Sequence, residues 1–108
     1  MPTERRLLTF VNEELSDAIH AYAKQECTEM PTGRLVKLTV LDDGDYAFKA
    51  TFVDDASDTR ASTHLTMFFV TEALIYLCIE RKIPIPRKGI KKTEKFGDGV
   101  GLEILVPE

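Results

Sequence analysis

With 108 residues, 44% of them hydrophobic and 30% charged, the chain has room for one domain with its own core, and it is too short for two and too apolar to be disordered. A net charge of −4 excludes a general nucleic-acid coat protein, so any anion-binding surface has to be local. Cys27 and Cys78 are too few for a disulfide framework and no basic-then-apolar leader opens the chain, so a soluble, cytoplasmic protein is expected.

The first third reads as helix. Asn12 is the expected cap, Glu13 and Glu14 suit the positive end of the helix dipole, and Leu15, Ala18, Ile19, Tyr22 and Ala23 follow helical spacing. Carrying the stripe back through Val11, Leu8 and Leu7 starts the helix near Thr3; the alternative for residues 7–11 is a short strand. Pro31 and Gly33 close this region. A hairpin follows, in which Val36, Leu38 and Val40 alternate with Leu35, Lys37 and Thr39, and Tyr46, Phe48, Ala50 and Phe52 with Ala47, Lys49, Thr51 and Val53. A three-residue loop with Gly44 in the left-handed region sets Val40 opposite Tyr46, Leu38 opposite Phe48 and Lys37 opposite Lys49. A two-residue loop would mix the faces.

Asp54 to Arg60 reads as a polar connection, and a second helix is expected from about Ser62 to Lys82. Leu65, Met67, Phe68, Phe69, Val70, Leu74, Ile75, Leu77, Cys78 and Ile79 cover most of its circumference, so it must be buried on more than one side. The apolar-rich run from Leu65 to Ile79 is shorter than the roughly 20 residues of a membrane span. Ile83-Pro84-Ile85-Pro86 stops the helix, Gly89 to Phe96 is a lysine-rich strand, Gly97-Asp98-Gly99 is a turn, and Val100, Leu102, Ile104 and Val106 alternate in a last strand. These elements make a single α+β domain over residues 1–108, in helix–hairpin–helix–hairpin order, with about four antiparallel strands and the helices on one face.

Charge is unevenly spread. Arg81, Lys82, Arg87, Lys88, Lys91, Lys92 and Lys95 lie within fifteen residues and share them with one acid, Glu94, while the rest of the chain holds seven basic and seventeen acidic side chains. As a strand, residues 89–95 place Lys91 and Lys95 on one face and Lys88, Lys92 and Glu94 on the other. Such a strip can neutralise phosphates; the same lysines also suit an edge strand that resists edge-to-edge association, or a cradle for the domain's own carboxylates. No aromatic residue interleaves the lysines and only Phe96 follows them, which disfavours stacking on a single strand.

Other clusters point to structure more than chemistry. Asp42, Asp43 and Asp45 crowd one hairpin end and Asp54, Asp55 and Asp58 the other, with His64 beyond them, at spacings that match neither a calcium loop nor a zinc motif. His64 is expected at the start of the second helix, beside Ser62 or Thr63 as its cap, and His20 beside the first helix's apolar stripe. Glu72, alone in the apolar helix, has to reach an edge, pair with a base or sit at a subunit boundary. Gly97, Gly99 and Gly101 precede no helix and so make no phosphate cradle. The expectation is a non-enzymatic binding module without metal or cofactor. It is expected to form a homodimer through Leu65, Phe68, Phe69, Glu72 and Leu77 and to offer the strip of residues 81–95 to nucleic acid or another polyanion. The alternative is an adaptor whose strip grips an acidic partner protein.

Overall fold

A computed structural model describes residues 4–41, 44–85, 89–96 and 99–106. In chain order the elements are β1 (Glu4–Phe10), α1 (Asn12–Gln25), β2 (Arg34–Val40), β3 (Phe48–Asp54), β4 (Thr59–Leu65), α2 (Met67–Glu80), β5 (Ile90–Phe96) and β6 (Gly99–Val106). The α+β class stands. The strands number six rather than about four, in two antiparallel sheets of order β1-β6-β5 and β2-β3-β4.

Residues 7–11 are the first point of departure from the helix reading. Leu7 and Leu8 belong to β1, whose hydrogen-bonding partner is β6 at the other end of the chain, with Leu8 opposite Leu102 and Phe10 opposite Val100. The helix begins only at Asn12, and its cap is not the Asn12 side chain: the Glu14 carboxylate accepts a hydrogen bond from the Val11 N–H at 3.1 Å. Leu15, Ala18, Ile19 and Ala23 form its buried stripe.

The hairpin has a longer connection than the three-residue loop. Val40 faces Phe48 and Leu38 faces Ala50, a slip of two residues that keeps the buried face buried. Lys49 therefore meets Thr39, and Lys37 meets Thr51, which removes the like-charge pair. A bulge at Val36, between Leu35 and Lys37, turns Leu35 off the outer face that the alternation gave it with Lys37 and into the core, while Lys37 stays in solvent. Val40 and Tyr46, expected on the inner face, are exposed, and Tyr46 precedes β3. The buried Ser16 hydroxyl of α1 accepts the Leu35 N–H at 3.1 Å and ties helix to strand beside the bulge. Gly44 has the left-handed φ expected of it, +69°.

The segment before α2 also differs. Thr59–Leu65 is the edge strand β4, so His64, Ser62 and Thr63 lie in a sheet and not at a helix start. The cap of α2 is Thr66, whose hydroxyl accepts the Phe69 N–H at 3.0 Å. Both helices end in the same way: Thr28 N–H donates to Ala23 O and Ile83 N–H to Cys78 O, each at 2.8 Å, across a left-handed Cys27 (φ 54°) or Lys82 (φ 57°). The turn at Lys82 brings Ile83 and Ile85 back onto the core. The turn expected at Gly97-Asp98-Gly99 lies partly outside the described residues, but Phe96 pairs with Gly99, so β5 and β6 form a hairpin.

One hydrophobic cluster joins both sheets and both helices, so the helices do not lie on one face of a single sheet. α1 packs against α2, β2 and β6, and α2 packs against β5. Phe52, Leu15, Ile19, Leu74, Leu102 and Ile104 are fully enclosed, and the buried hydroxyls of Thr71 on α2 and Thr93 on β5 satisfy each other at 2.9 Å.

Candidate functional site

Helix α2 is only partly covered by its own chain. Val70, Ala73, Leu74, Leu77 and Cys78 are buried, and Phe69 and Tyr76 turn toward α1, where both rings contact Tyr22. Phe68 is 70% exposed and Ile79 65% exposed. With Glu72 and Ile75, both half-buried, they fall on one outer stripe of the helix. Of the residues expected at a dimer interface, Leu65 and Leu77 are therefore inside the core, Phe69 is half-buried against Tyr22, and Phe68 and Glu72 lie on the outer stripe. Glu72 thus meets the constraint on a carboxylate in this helix by sitting on its open side. Ile75 and Ile79 join them there.

The basic segment does not form one ridge. Arg81, past the end of α2, donates to Glu14 on α1 at 2.7 Å, and Lys82 is exposed. On β5 the expected division of faces holds: Lys91 and Lys95 stand opposite Ile104 and Val100, and Lys92 and Glu94 stand opposite Glu103 and Gly101. Arg87 and Lys88 lie outside the described residues.

Lys92 belongs to a charge cluster on the outer face of sheet β1-β6-β5. Its centre is Glu103, 5% exposed in the middle strand, which accepts from Arg5 Nε at 3.0 Å and Nη2 at 2.6 Å. Lys92 Nζ lies 3.6 Å from Glu103 and 3.4 Å from Glu94. The hydrogen bond from Arg5 holds the Glu103 carboxyl below the usual carboxylate range, with Lys92 assisting and burial opposing. Because the folded carboxyl releases its proton more readily than the unfolded one, its stabilisation is complete above the unfolded carboxylate range and is lost as pH falls through the lowered folded value. Melting temperature measured from pH 7 down to pH 3 should therefore fall less steeply for Glu103→Gln than for the unmodified chain, while Glu103→Gln starts lower at pH 7. Parallel acid limbs would contradict this role for Glu103.

The aspartates expected as turn residues behave as such. Asp54 accepts from Thr32 Oγ1 at 2.7 Å and from the Ala56 N–H at 3.1 Å, and the Thr32 bond holds its carboxyl below the usual range. Asp55 pairs with Arg34 at 3.3 Å, with both side chains well exposed. Asp42 and Asp43 lie outside the described residues. Among the described residues, no group of three or more His, Cys, Asp and Glu side chains is placed to hold a metal. His20 Nε2–H donates to the Gly33 carbonyl at 2.7 Å and its ring lies 5.1 Å from Phe52. Cys78 is buried, which pushes its thiol up, and Cys27 is exposed. Among the described residues, the cleft between β1, the start of α1 and Gly99 is lined by one ionisable side chain, Glu13. Gly99 lies against the Phe10 backbone within the sheet, and Gly101 is buried in β6; Gly97 is outside the described residues.

The sequence reading missed a second group of cations. On the outer face of sheet β2-β3-β4, three cross-strand rows run Arg34–Val53–Arg60, Lys37–Thr51–Ser62 and Thr39–Lys49–His64. Every position in these rows is basic, hydroxylic or, at Val53, aliphatic. Comparison with protein-family models, with curated proteins and with solved structures gives no match. Among the described residues, no helix is long and apolar enough to cross a membrane.

Proposed function

We propose that the chain is a cytoplasmic, non-enzymatic binding module that pairs with a second copy through the outer stripe of α2 and meets an anionic partner, nucleic acid, with cations of the segment 81–95. The exposure of Phe68 and Ile79 carries this reading. An apolar stripe on a helix otherwise bedded in the core favours a partner of the same character. Phe68, Glu72, Ile75 and Ile79 are four, three and four residues apart, a spacing that reads the same in both directions. A two-fold axis between Glu72 and Ile75 lays Phe68 against Ile79 of the second copy, the self-complementarity that a closed dimer requires. Glu72 then lies beside the axis, opposite Ile75 of the second copy, so its carboxylate has to reach the edge of the seam to stay in water. Two thiols left unpaired, one buried and one exposed, fit a reducing compartment. Beyond α2, Lys82 and Lys95 present exposed side chains, and pairing would place two such segments on one particle.

The rival reading, an adaptor gripping an acidic protein, draws on the cations of this segment already engaged with carboxylates: Arg81 with Glu14, and Lys92 with Glu94 and Glu103. Surfaces that meet carboxylates within the chain can meet them on a partner.

Sedimentation velocity at micromolar concentration tests the pairing. Phe68→Glu removes an apolar anchor twice in a symmetric dimer, at about 3 kcal/mol or more in total, so the dissociation constant should weaken by about 100-fold or more. The melting temperature of the isolated subunit should change little, because Phe68 adds little to its own core. A chain that sediments as a monomer at every concentration, or a dimer indifferent to Phe68→Glu, would remove this reading.

A further inference from the structure

We propose that the outer face of sheet β2-β3-β4 is a second binding surface, for single-stranded nucleic acid, distinct from the segment 81–95. Four formal cations, Arg34, Lys37, Lys49 and Arg60, stand exposed on this face together with His64. None of its three rows contains a carboxylate, on a chain whose net charge is −4. Arg34 is held by Asp55 at the edge of the sheet, in an exposed pair that water and salt weaken. Among the described residues, no ion pair engages Lys37, Lys49 or Arg60. Cations left this way across a twisted but open sheet produce a positive potential that an extended polyanion can follow.

The chemistry between the cations favours a nucleic acid over an acidic protein. A protein interface needs buried apolar or aromatic anchors at its centre, and this face has only Val53 there. It has instead the hydroxyls of Thr39 and Ser62, the latter tied at 3.0 Å to the buried Thr51 hydroxyl across β3 and β4. At the end of the third row, the exposed Tyr46 ring lies 5.6 Å from the His64 ring. Adjacent strands are about 4.8 Å apart and successive rows about 6.8 Å apart. Backbone phosphates can thus be met by lysine and arginine while a base stacks on Tyr46 or His64, the combination that single-strand binders use. Among the described residues, no helix projects from this face to enter a duplex groove, so a single strand is the better fit.

The test is fluorescence anisotropy of a labelled twelve-nucleotide single strand, in RNA and DNA forms, titrated with the full chain at 50 and 200 mM salt. Four neutralised phosphates predict a slope of log affinity on log salt near about −2.8, and hence a loss of about 50-fold between those two concentrations. Lys37→Glu with Lys49→Glu should weaken binding more than tenfold and flatten that slope, and Tyr46→Ala should weaken it with the slope unchanged. Circular dichroism and melting of each variant should match the parent, since these side chains are exposed. Lys82→Glu with Lys88→Glu separates the two surfaces: it should leave single-strand binding intact if the sheet face is the site. A loss with that variant alone would overturn the sheet-face proposal and support the strip. Absence of binding at 50 mM salt, equal affinity of the Lys82→Glu, Lys88→Glu variant for a duplex, or equal competition by polyglutamate would each overturn it.

Discussion

Replacing Phe52 with alanine is expected to lower stability by about 3–5 kcal/mol, the range for truncating a fully buried phenylalanine whose surroundings cannot collapse. Phe52 is fully enclosed in β3, the middle strand of its sheet. Its cross-strand neighbours are Leu35 and Ala61, and the His20 ring lies across it. Neither alanine nor a hydrogen-bonded histidine can move to fill the space. Domains of this size are stable by only about 5–15 kcal/mol, so the loss takes a large share of the total. Each kcal/mol corresponds to about 4–8 °C in a domain near this length, so melting should fall by roughly 12 °C or more. Urea unfolding measures it directly, and a loss below about 1 kcal/mol would show that this site is not rigidly packed. Phe52→Leu should recover part of the difference.

The second large effect is expected at Gly33, which enters β2 with φ +103°. A Cβ there would run into the carbonyl of Val53, a backbone group that cannot swing aside as a side-chain tip can. A non-glycine residue in such a conformation costs about 1–3 kcal/mol before any clash is counted. Gly33→Ala must in addition disturb the first pair of the hairpin, Arg34 with Val53, and the His20 bond to the Gly33 carbonyl. Gly44 supplies the comparison: its φ is +69° and, among the described residues beyond its chain neighbours, no atom lies within 4 Å of a Cβ built on it, so Gly44→Ala should cost only the conformational part, about 1 kcal/mol. Equal urea midpoints for the two variants would contradict this account. Loss of amide protection at Leu35 in Gly33→Ala, and not in Gly44→Ala, would support it.

Local pattern revealed those elements whose side chains alternate or repeat within the element itself. The stripe of α1, the inward Phe48, Ala50 and Phe52 of β3 and the alternation of β6 are all of that kind, whereas the bulge at Val36 reverses Leu35 in β2. β1 was ambiguous because Leu7 and Leu8 suit a helix stripe as well as a strand. What decides between them is pairing with residues nearly a hundred positions away, which no local window contains. β4 was hidden for a different reason. It is an edge strand whose inward positions Ala61 and Thr63 are exposed or half-exposed, so only Leu65 carries the apolar signal. The all-round apolarity of α2 was real, yet part of it stays outside: sequence can count apolar residues but cannot say which side the second sheet covers. The strip 81–95 was conspicuous because its charges adjoin in sequence, although folding places its described members at a helix end and on two strand faces. The cationic rows behaved oppositely. Arg34, Lys37, Lys49 and Arg60 are scattered over some 27 positions, and only the strand register gathers them. The signal was present as the outward halves of the alternating runs, once β4 is included.

The arrangement of β1, β6 and β5 also bears on how the polypeptide acquires its shape during synthesis. The centre strand of that sheet, β6, is synthesised after both of its neighbours, so neither has its partner until translation reaches it. Until then the apolar stripes of α1 and α2 and the unpaired edge of β1 stay available to other molecules. A nascent chain stalled before residue 99 therefore lacks the strand that joins β1 to β5, and this sheet forms only once β6 has emerged.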